Sequence, residues 1–215
     1  MTALNSTNKS EKCFSLESGY LGLYDYERAV QLQNELYQLV IVRNQFSIIG
    51  LEHPAVLTLG HRFTAQSESV DSEIPIIQSS RGGLATIHSE GQLIIYPIIN
   101  LRELNWGVKQ YVQILLETTQ TLLSDLNIES VIDEQSIGLH TTLGKIAFCG
   151  IQVKNGITLH GLSLNVKNDL ELFSTIKACG IENPALDQLR NYDVDLTLSE
   201  LFSRWIKIFT NRILQ

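Results

Sequence analysis

Ile146-Ala147-Phe148-Cys149-Gly150-Ile151-Gln152-Val153, then Lys154-Asn155-Gly156, then Ile157-Thr158-Leu159-His160-Gly161-Leu162-Ser163-Leu164-Asn165-Val166 is the stretch that decides the fold. Two apolar runs of strand length flank an Asn-Gly pair. Both residues of that pair tolerate positive φ, which a tight hairpin turn demands. With residues 138–143 in front of them, the runs read as an antiparallel meander.

Outside the meander the periodicity turns helical. Residues 108–126 place Tyr111, Val112, Leu115, Leu116, Thr119, Leu122, Leu123 and Leu126 on one stripe. Residues 25–43 do the same with Ala29, Leu32, Leu36, Leu39 and Val40, behind Asp25 as N-cap. Thr197-Leu198-Ser199-Glu200 is a capping box that opens a last helix to about residue 213, with Leu198, Leu201, Phe202, Trp205, Ile206 and Phe209 inward. A short helical segment is expected over 169–176. Residues 46–51 and 55–59 read as strands parted by His53-Pro54. Residues 84–88 and 92–101 read as a hairpin around Ser89-Glu90-Gly91. Pro97 lacks a ladder donor, so its strand should lie at an edge or carry a bulge. No βαβ rhythm stands out. The expectation is an α+β domain over 19–215, a mixed and largely antiparallel sheet with flanking helices, after a weakly ordered tail, 1–18.

The composition narrows the function. The 215 residues carry 16 Lys+Arg against 23 Asp+Glu, a net charge of −7, with 18% charged and 44% hydrophobic residues. Such a chain is too apolar for intrinsic disorder and too acidic for a nucleic-acid binder. No apolar run approaches the ~18 residues of a membrane span. Cys13, Cys149 and Cys179 form no C-x-x-C pair, and the first residues lack the basic and apolar regions of a secretory signal. A reducing cytoplasm and a monomer are the expectation.

Phosphate loops, a dinucleotide fingerprint, H-E-x-x-H and a nucleophile elbow are all missing, and His53, His61, His88, His140 and His160 show no metal-binding spacing. The polar-glycine clusters carry the chemistry instead. Arg81-Gly82-Gly83 reads as a tight turn with a surface arginine, or as a loop whose glycines admit a ligand and whose guanidinium binds a carboxylate or phosphate. Lys145 reads as a solvated turn lysine, Cys149 as a small core residue, and His160 as a strand histidine satisfied by hydrogen bonding. Cys179 sits between Ala178 and Gly180, small neighbours that leave a thiol accessible. A free thiol near pKa 8.5 is only a few per cent ionised at neutral pH, so a nucleophile there needs a nearby cation; spacing alone does not choose between Lys145 and Lys177.

Arg81-Gly82-Gly83-Leu84-Ala85-Thr86-Ile87-His88-Ser89-Glu90-Gly91-Gln92-Leu93-Ile94-Ile95-Tyr96-Pro97 resembles the R-G-G-x-x-T-Y-H-G-P-G-Q-x-x-x-Y-P block of the lipoyl/octanoyl transferase family. Gly144-Lys145-Ile146-Ala147, His160-Gly161-Leu162-Ser163-Leu164-Asn165-Val166 and Ala178-Cys179-Gly180 resemble its G-K-I-A, H-G-x-A-L-N-V and P-C-G blocks in the same order, and Glu52 to Gly60 resembles E-H-x-P-V-x-T-x-G. The likeness implies the fold of the biotin and lipoate protein ligase catalytic domains. It also implies transfer of an octanoyl group from octanoyl-acyl carrier protein to a lysine of lipoyl domains, those of 2-oxoacid dehydrogenases and of the glycine cleavage H protein. No cofactor or metal is implied.

By the same resemblance Cys179 is the acyl-thioester nucleophile and Lys145 the cation that lowers its pKa. Arg81, Gly82, Gly83, Leu84, Ala85, Thr86, Ile87, His88, Phe148, Cys149, Gly150, His160, Gly161, Leu162 and Ser163 line the acyl pocket. An ammonium ~4 Å from a thiolate contributes roughly 4 kcal/mol at an effective dielectric of ~20, up to about three pKa units. Ile87, Ser89-Glu90 and Ala178 depart from the family's Tyr, Gly-Pro and Pro, which alters the turn and pocket wall but spares the nucleophile and its lysine. An ATP-dependent lipoate or biotin ligase and a non-catalytic acyl- or carrier-binding module are the other readings. Docking of an acidic carrier predicts that Arg62, Arg81, Lys145 and Lys154 cluster at the site entrance.

Overall fold

The computed structural model describes residues 14–63, 74–133, 135–175 and 185–214. Its strands and helices are β1 (Ser15–Leu23), α1 (Tyr26–Arg43), β2 (Gln45–Glu52), β3 (Val56–Leu59), β4 (Ile76–Gln78), β5 (Ala85–His88), β6 (Gln92–Ile98), α2 (Val108–Asp125), β7 (Val131–Asp133), β8 (Gly138–His140), β9 (Lys145–Lys154), β10 (Ile157–Asn165) and α3 (Leu198–Ile213). Short 3-10 helices cover Glu171–Thr175 and Leu189–Asn191. The strands form a seven-stranded sheet, ordered β1-β2-β6-β10-β9-β8-β7, and a three-stranded sheet, ordered β4-β3-β5. Pairing is antiparallel except between β1 and β2 and between β3 and β4. This is the expected α+β class.

The β9–β10 hairpin forms as read. Asn155 and Gly156 take φ of 54° and 87°, and Ile157 pairs with Lys154. Asp25 caps α1 by accepting from the Arg28 amide at 3.0 Å, and Thr197 with Glu200 closes a reciprocal capping box on α3. The buried face of α1 is rotated from the leucine stripe: Tyr26, Ala29, Gln33, Tyr37 and Val40 point inward. A buried Gln33 has a specific reason, since its Oε1 accepts the His160 amide at 2.6 Å. Helix α1 crosses β2, β6 and β10, while α2 and α3 rest on each other and on the same sheet. Trp205, fully buried, donates from Nε1 to Thr119 Oγ1 at 2.9 Å across the α2–α3 contact.

Three expectations need correction. Residues 15–18 belong to β1, which pairs in parallel with β2 through α1, so one βαβ unit exists at the start of the domain. Two glycines and an exposed edge position weaken its strand pattern in the sequence. Residues 1–13 of the expected tail lie outside the described residues. Second, β5 and β6 are not a hairpin. They join different sheets, and Gly91, at φ 85°, turns the chain between them while its amide donates to Glu52 Oε2 at 2.7 Å.

Third, Pro97 lies in an interior strand, between β2 and β10. The β6–β10 ladder runs from Asn165↔Gln92 to Leu162↔Ile95 and resumes where the Thr158 amide donates to Ile99 O at 3.0 Å. His160 falls in the gap opposite the missing donor. It takes φ 56° and sends its amide to Gln33, so no buried amide is left without a partner there. Gly161 beside it tolerates the closure, because a Cβ at that position would meet Ile95 O at 2.2 Å. The proline thus shapes the sheet centre instead of marking its edge.

Candidate active site

Strand β8 stops pairing with β9 at Phe148↔Gly138, which leaves the rest of that β9 edge open. The glycine loop takes the position β8 vacates: the Gly82 amide donates to Ile151 O at 2.8 Å. Gly82 lies so close to Gly150 that a Cβ on the latter would approach Gly82 O to 3.2 Å. Between loop, small sheet and β9–β10 lies a cavity of about 390 Å³. That size falls within the range of small-molecule sites.

Arg81, Gly82, Gly83, Leu84, Ala85, Thr86, His88, Phe148, Cys149, Gly150, His160, Gly161, Leu162 and Ser163 line this cavity, so all but one of the pocket residues named from the sequence meet around one space. Ile87 does not line it. Strand alternation turns Ile87 into a separate core with Leu57, Phe148 and Phe173, where it is fully buried. Arg62, Ile94, Tyr96, Val112, Gln135, Ser136, Ile137 and Ile151 complete the lining. Tyr96 stood in the quoted motif, whereas 135–137 carried no local signal and reach the site through the β7–β8 turn.

Arg81 is not the surface arginine of the tight-turn reading. Its guanidinium is buried and donates to Thr58 Oγ1 at 3.1 and 2.8 Å, to Thr58 O at 2.6 Å and to Gly82 O at 3.0 Å. It staples the glycine loop to β3. Lys145 is likewise not a solvated turn residue; it opens β9 and is 3% exposed. Its Nζ donates to Ser136 O and sits 4.8 Å from the centre of the Phe148 ring. Gly138 makes room, since a Cβ there would meet Lys145 Cε at 2.5 Å. Of the four cations expected at the entrance, Arg62 is exposed on the cavity wall, Arg81 and Lys145 are interior, and Lys154 lies over the Tyr37 ring. The predicted cationic cluster at the entrance is therefore not formed by these four.

Cys149 is half-buried in the cavity wall, and burial pushes its thiol up to about 12 although Lys145 works the other way. It is a neutral thiol at physiological pH. Cys179, with Ala178 and Gly180, lies outside the described residues. The chain resumes at Ala185, whose carbonyl accepts the Lys145 amide at 2.8 Å.

Three histidines cluster at the cavity, His88 and His160 in its wall and His53 against His88, and their partners fix their tautomers. The Tyr24 carbonyl requires a proton on His53 Nδ1, so His53 Nε2 accepts from the Tyr96 hydroxyl at 3.0 Å. Ser80 donates to Gln152 Oε1, so His160 Nε2 donates to Ser80. His88 Nδ1 faces Gln92 Oε1 at 2.7 Å, and Gln92 in turn donates to Asn165 Oδ1. Burial, the largest cause, lowers His53 to about 4, with the Tyr24 carbonyl and Asp25 acting in the opposite direction. Burial also lowers His160 to about 4, aided by Arg81 and His53, and holds His88 well below its ordinary value. The folded state keeps these rings neutral, while the unfolded chain protonates them near 6.5. Unfolding therefore takes up protons between about pH 6.5 and 4, and stability is lost as pH falls through that window. Each ring contributes about 1.4 kcal/mol per pH unit there. Urea midpoints measured from pH 7 to 4 should drop across that window, and His53→Gln should flatten the drop.

The family model of the lipoyl protein ligase A/B catalytic domain matches residues 25–210. Over 184 residues the chain is 34% identical to a Pseudomonas putida (strain W619) protein named Octanoyltransferase, covering 86% of each. A bi-partite lipoate protein ligase from Thermoplasma acidophilum superposes with a TM-score of 0.68 at 16% identity, covering 93% of this chain and 83% of that one. A biotin protein ligase from Aquifex aeolicus, in complex with biotin and ATP, superposes with a TM-score of 0.57 at 11% identity, covering 92% and 70%. At such identities the superpositions bear on fold alone, and they agree with the two-sheet architecture. The sequence matches go further: the chain belongs to the lipoyl protein ligase A/B catalytic domain family.

Proposed function

We propose that this chain is an acyltransferase that moves an octanoyl group from octanoyl-acyl carrier protein to a lysine of a lipoyl domain, through a thioester on Cys179. Acceptors are the lipoyl domains of 2-oxoacid dehydrogenases and the glycine cleavage H protein. The observation that carries the reading is Lys145, held at 3% exposure beside the Phe148 wall of an acyl-sized cavity, in a chain 34% identical to a protein named Octanoyltransferase.

The chemistry follows from thioester energetics. The Cys179 thiolate attacks the carbonyl carbon of the donor thioester, and the carrier thiolate leaves. This exchange of one thioester for another is nearly isoenergetic. The neutral amine of the acceptor lysine then attacks the thioester carbonyl, Cys179 departs as thiolate and takes up the proton that the amine nitrogen sheds, and the product amide is more stable than either thioester. Nothing in that sequence needs ATP. Lys145 favours the thiolate in both steps, and backbone amides around Phe148–Gly150 serve the tetrahedral oxyanion. Burying the chain's six methylenes at about 0.8 kcal/mol each supplies roughly 5 kcal/mol of binding. Cys149 shares the cavity but stays protonated, so it does not compete for the acyl group. Among the four cations named, Arg62 is the one available to an acidic carrier at the cavity wall.

The test is a lipoyl domain mixed with octanoyl-acyl carrier protein and the enzyme, without ATP. The domain should gain one octanoyl group. Octanoylation seen only from free octanoate with ATP would assign the ligase reaction instead.

A further inference from the structure

We infer that Asp187 is a positioning residue for the transfer, acting through the backbone of Lys145; this rests on the role proposed for Lys145. Lys145 is gripped along its backbone by residues 185–187. Its amide donates to Ala185 O at 2.8 Å, its carbonyl accepts the Asp187 amide at 3.0 Å, and it forms a parallel bridge with Leu186. That grip is tight at the neighbouring residue too: a Cβ on Gly144 would meet the Ala185 carbonyl at 2.5 Å.

The side chain of Asp187, fully buried, holds the gripping segment in place. Its Oδ2 accepts from Thr141 Oγ1 at 2.5 Å and from Tyr192 Oη at 2.6 Å. Its Oδ1 accepts from Asn191 Nδ2 at 2.7 Å and from the Gln188 amide at 2.8 Å. Its carbonyl accepts from Asn165 Nδ2 at 3.0 Å. The carboxylate thus ties the β8–β9 turn to residues 188–192, and the Asp187 carbonyl adds the end of β10, all around the lysine. Asn165 continues the chain of bonds through Gln92 to His88 on the cavity wall. A buried carboxylate with four donors is held rigidly, because each donor would be left unpaired if it moved. The lysine's backbone is held by that network, and its ammonium lies behind the cavity wall, against Ser136 O and the Phe148 ring.

Loosening the network should let the ammonium drift. Retreat from ~4 to ~6 Å weakens its effect on a thiolate by about tenfold, or one pH unit. The experiment follows alkylation of Cys179 by iodoacetamide from pH 5 to 10, read by peptide mass, in wild type, Asp187→Asn, Thr141→Val and Lys145→Met, with melting temperatures alongside. Asp187→Asn should raise the midpoint of alkylation by about one unit, Thr141→Val by less, and neither should shift it further in a Lys145→Met background. Thr141→Val, which removes one donor, decides the matter if Asp187→Asn does not fold. A lowered melting temperature with an unmoved midpoint makes Asp187 purely structural and overturns the inference. An unmoved midpoint in Lys145→Met itself removes the lysine from the mechanism and the inference with it.

Discussion

Replacing Cys179 by alanine should reduce octanoyl transfer to the lipoyl domain by at least about a thousandfold, with the melting temperature little changed. Removing a covalent nucleophile removes the reaction path, and losses of that order or larger accompany such deletions in other enzymes. Cys149 cannot substitute. Its thiol is pushed up to about 12 by burial, so its ionised fraction at neutral pH is negligible. Cys179→Ser should not restore turnover, because a hydroxyl near its ordinary acidity is a far poorer nucleophile than a thiolate, and the ester it would form is less reactive towards an amine than a thioester. Retention of more than a tenth of wild-type transfer in Cys179→Ala, with purified components, would show that the acyl group passes directly from carrier to lysine.

The second large effect belongs to Lys145→Met, a change that keeps an unbranched side chain, one atom shorter, and removes its charge. The midpoint pH for acylation of Cys179 should rise by up to about three units. The fall in rate at neutral pH should be smaller than the lost thiolate fraction suggests, since a thiolate of higher pKa is intrinsically a better nucleophile and offsets much of that loss. The pH profile is therefore the diagnostic measurement, and a single rate at pH 7 is not. Some stability should also be lost. Lys145 donates to Ser136 O and lies over Phe148, and methionine leaves the Ser136 carbonyl without that donor. A variant with an unchanged profile would leave Lys145 as a structural residue joining β9 to the 135–137 turn.

The parts of the fold that were legible in the sequence are those where local physics decides. Asn155-Gly156 specifies its turn through positive φ, and Thr197 with Glu200 specifies a helix start through two reciprocal hydrogen bonds. What was hidden depends on distant partners. Gln33 breaks the apolar pattern of α1 because its partner is the His160 amide, more than a hundred residues away in the chain, and that amide turns to Gln33 because His160, opposite Pro97, leaves the β6–β10 ladder at φ 56°. Likewise Ser89-Glu90-Gly91 reads as a hairpin turn, and local geometry cannot reveal that the two flanking strands enter different sheets.

The site divides in the same way. Glycines and histidines of the quoted motifs converge on one cavity, yet the roles of their neighbours changed once burial was known. Arg81 has the composition of an anion-binding residue and is used to fasten a loop to Thr58. Lys145 has the context of a turn residue and is interior, because β9 begins one residue after Gly144 and residues 185–187 close over it. Ile87 sits in the motif but on the opposite strand face from Thr86 and His88, in the second core. Asp187 belongs to no motif; its importance lies in four donors, one from Thr141 in the β8–β9 turn and three from residues 188–192.

The central claim is that the octanoyl group rests on Cys179 between donor and acceptor. It is tested most directly by mixing the wild-type chain with octanoyl-acyl carrier protein, without ATP and without a lipoyl domain, and measuring intact mass followed by peptide mapping. A single octanoyl adduct on the Cys179 peptide is the expected result, removed by hydroxylamine and transferred when a lipoyl domain is added. An unmodified chain, or an adduct located on Cys149 or on Lys145, would contradict it.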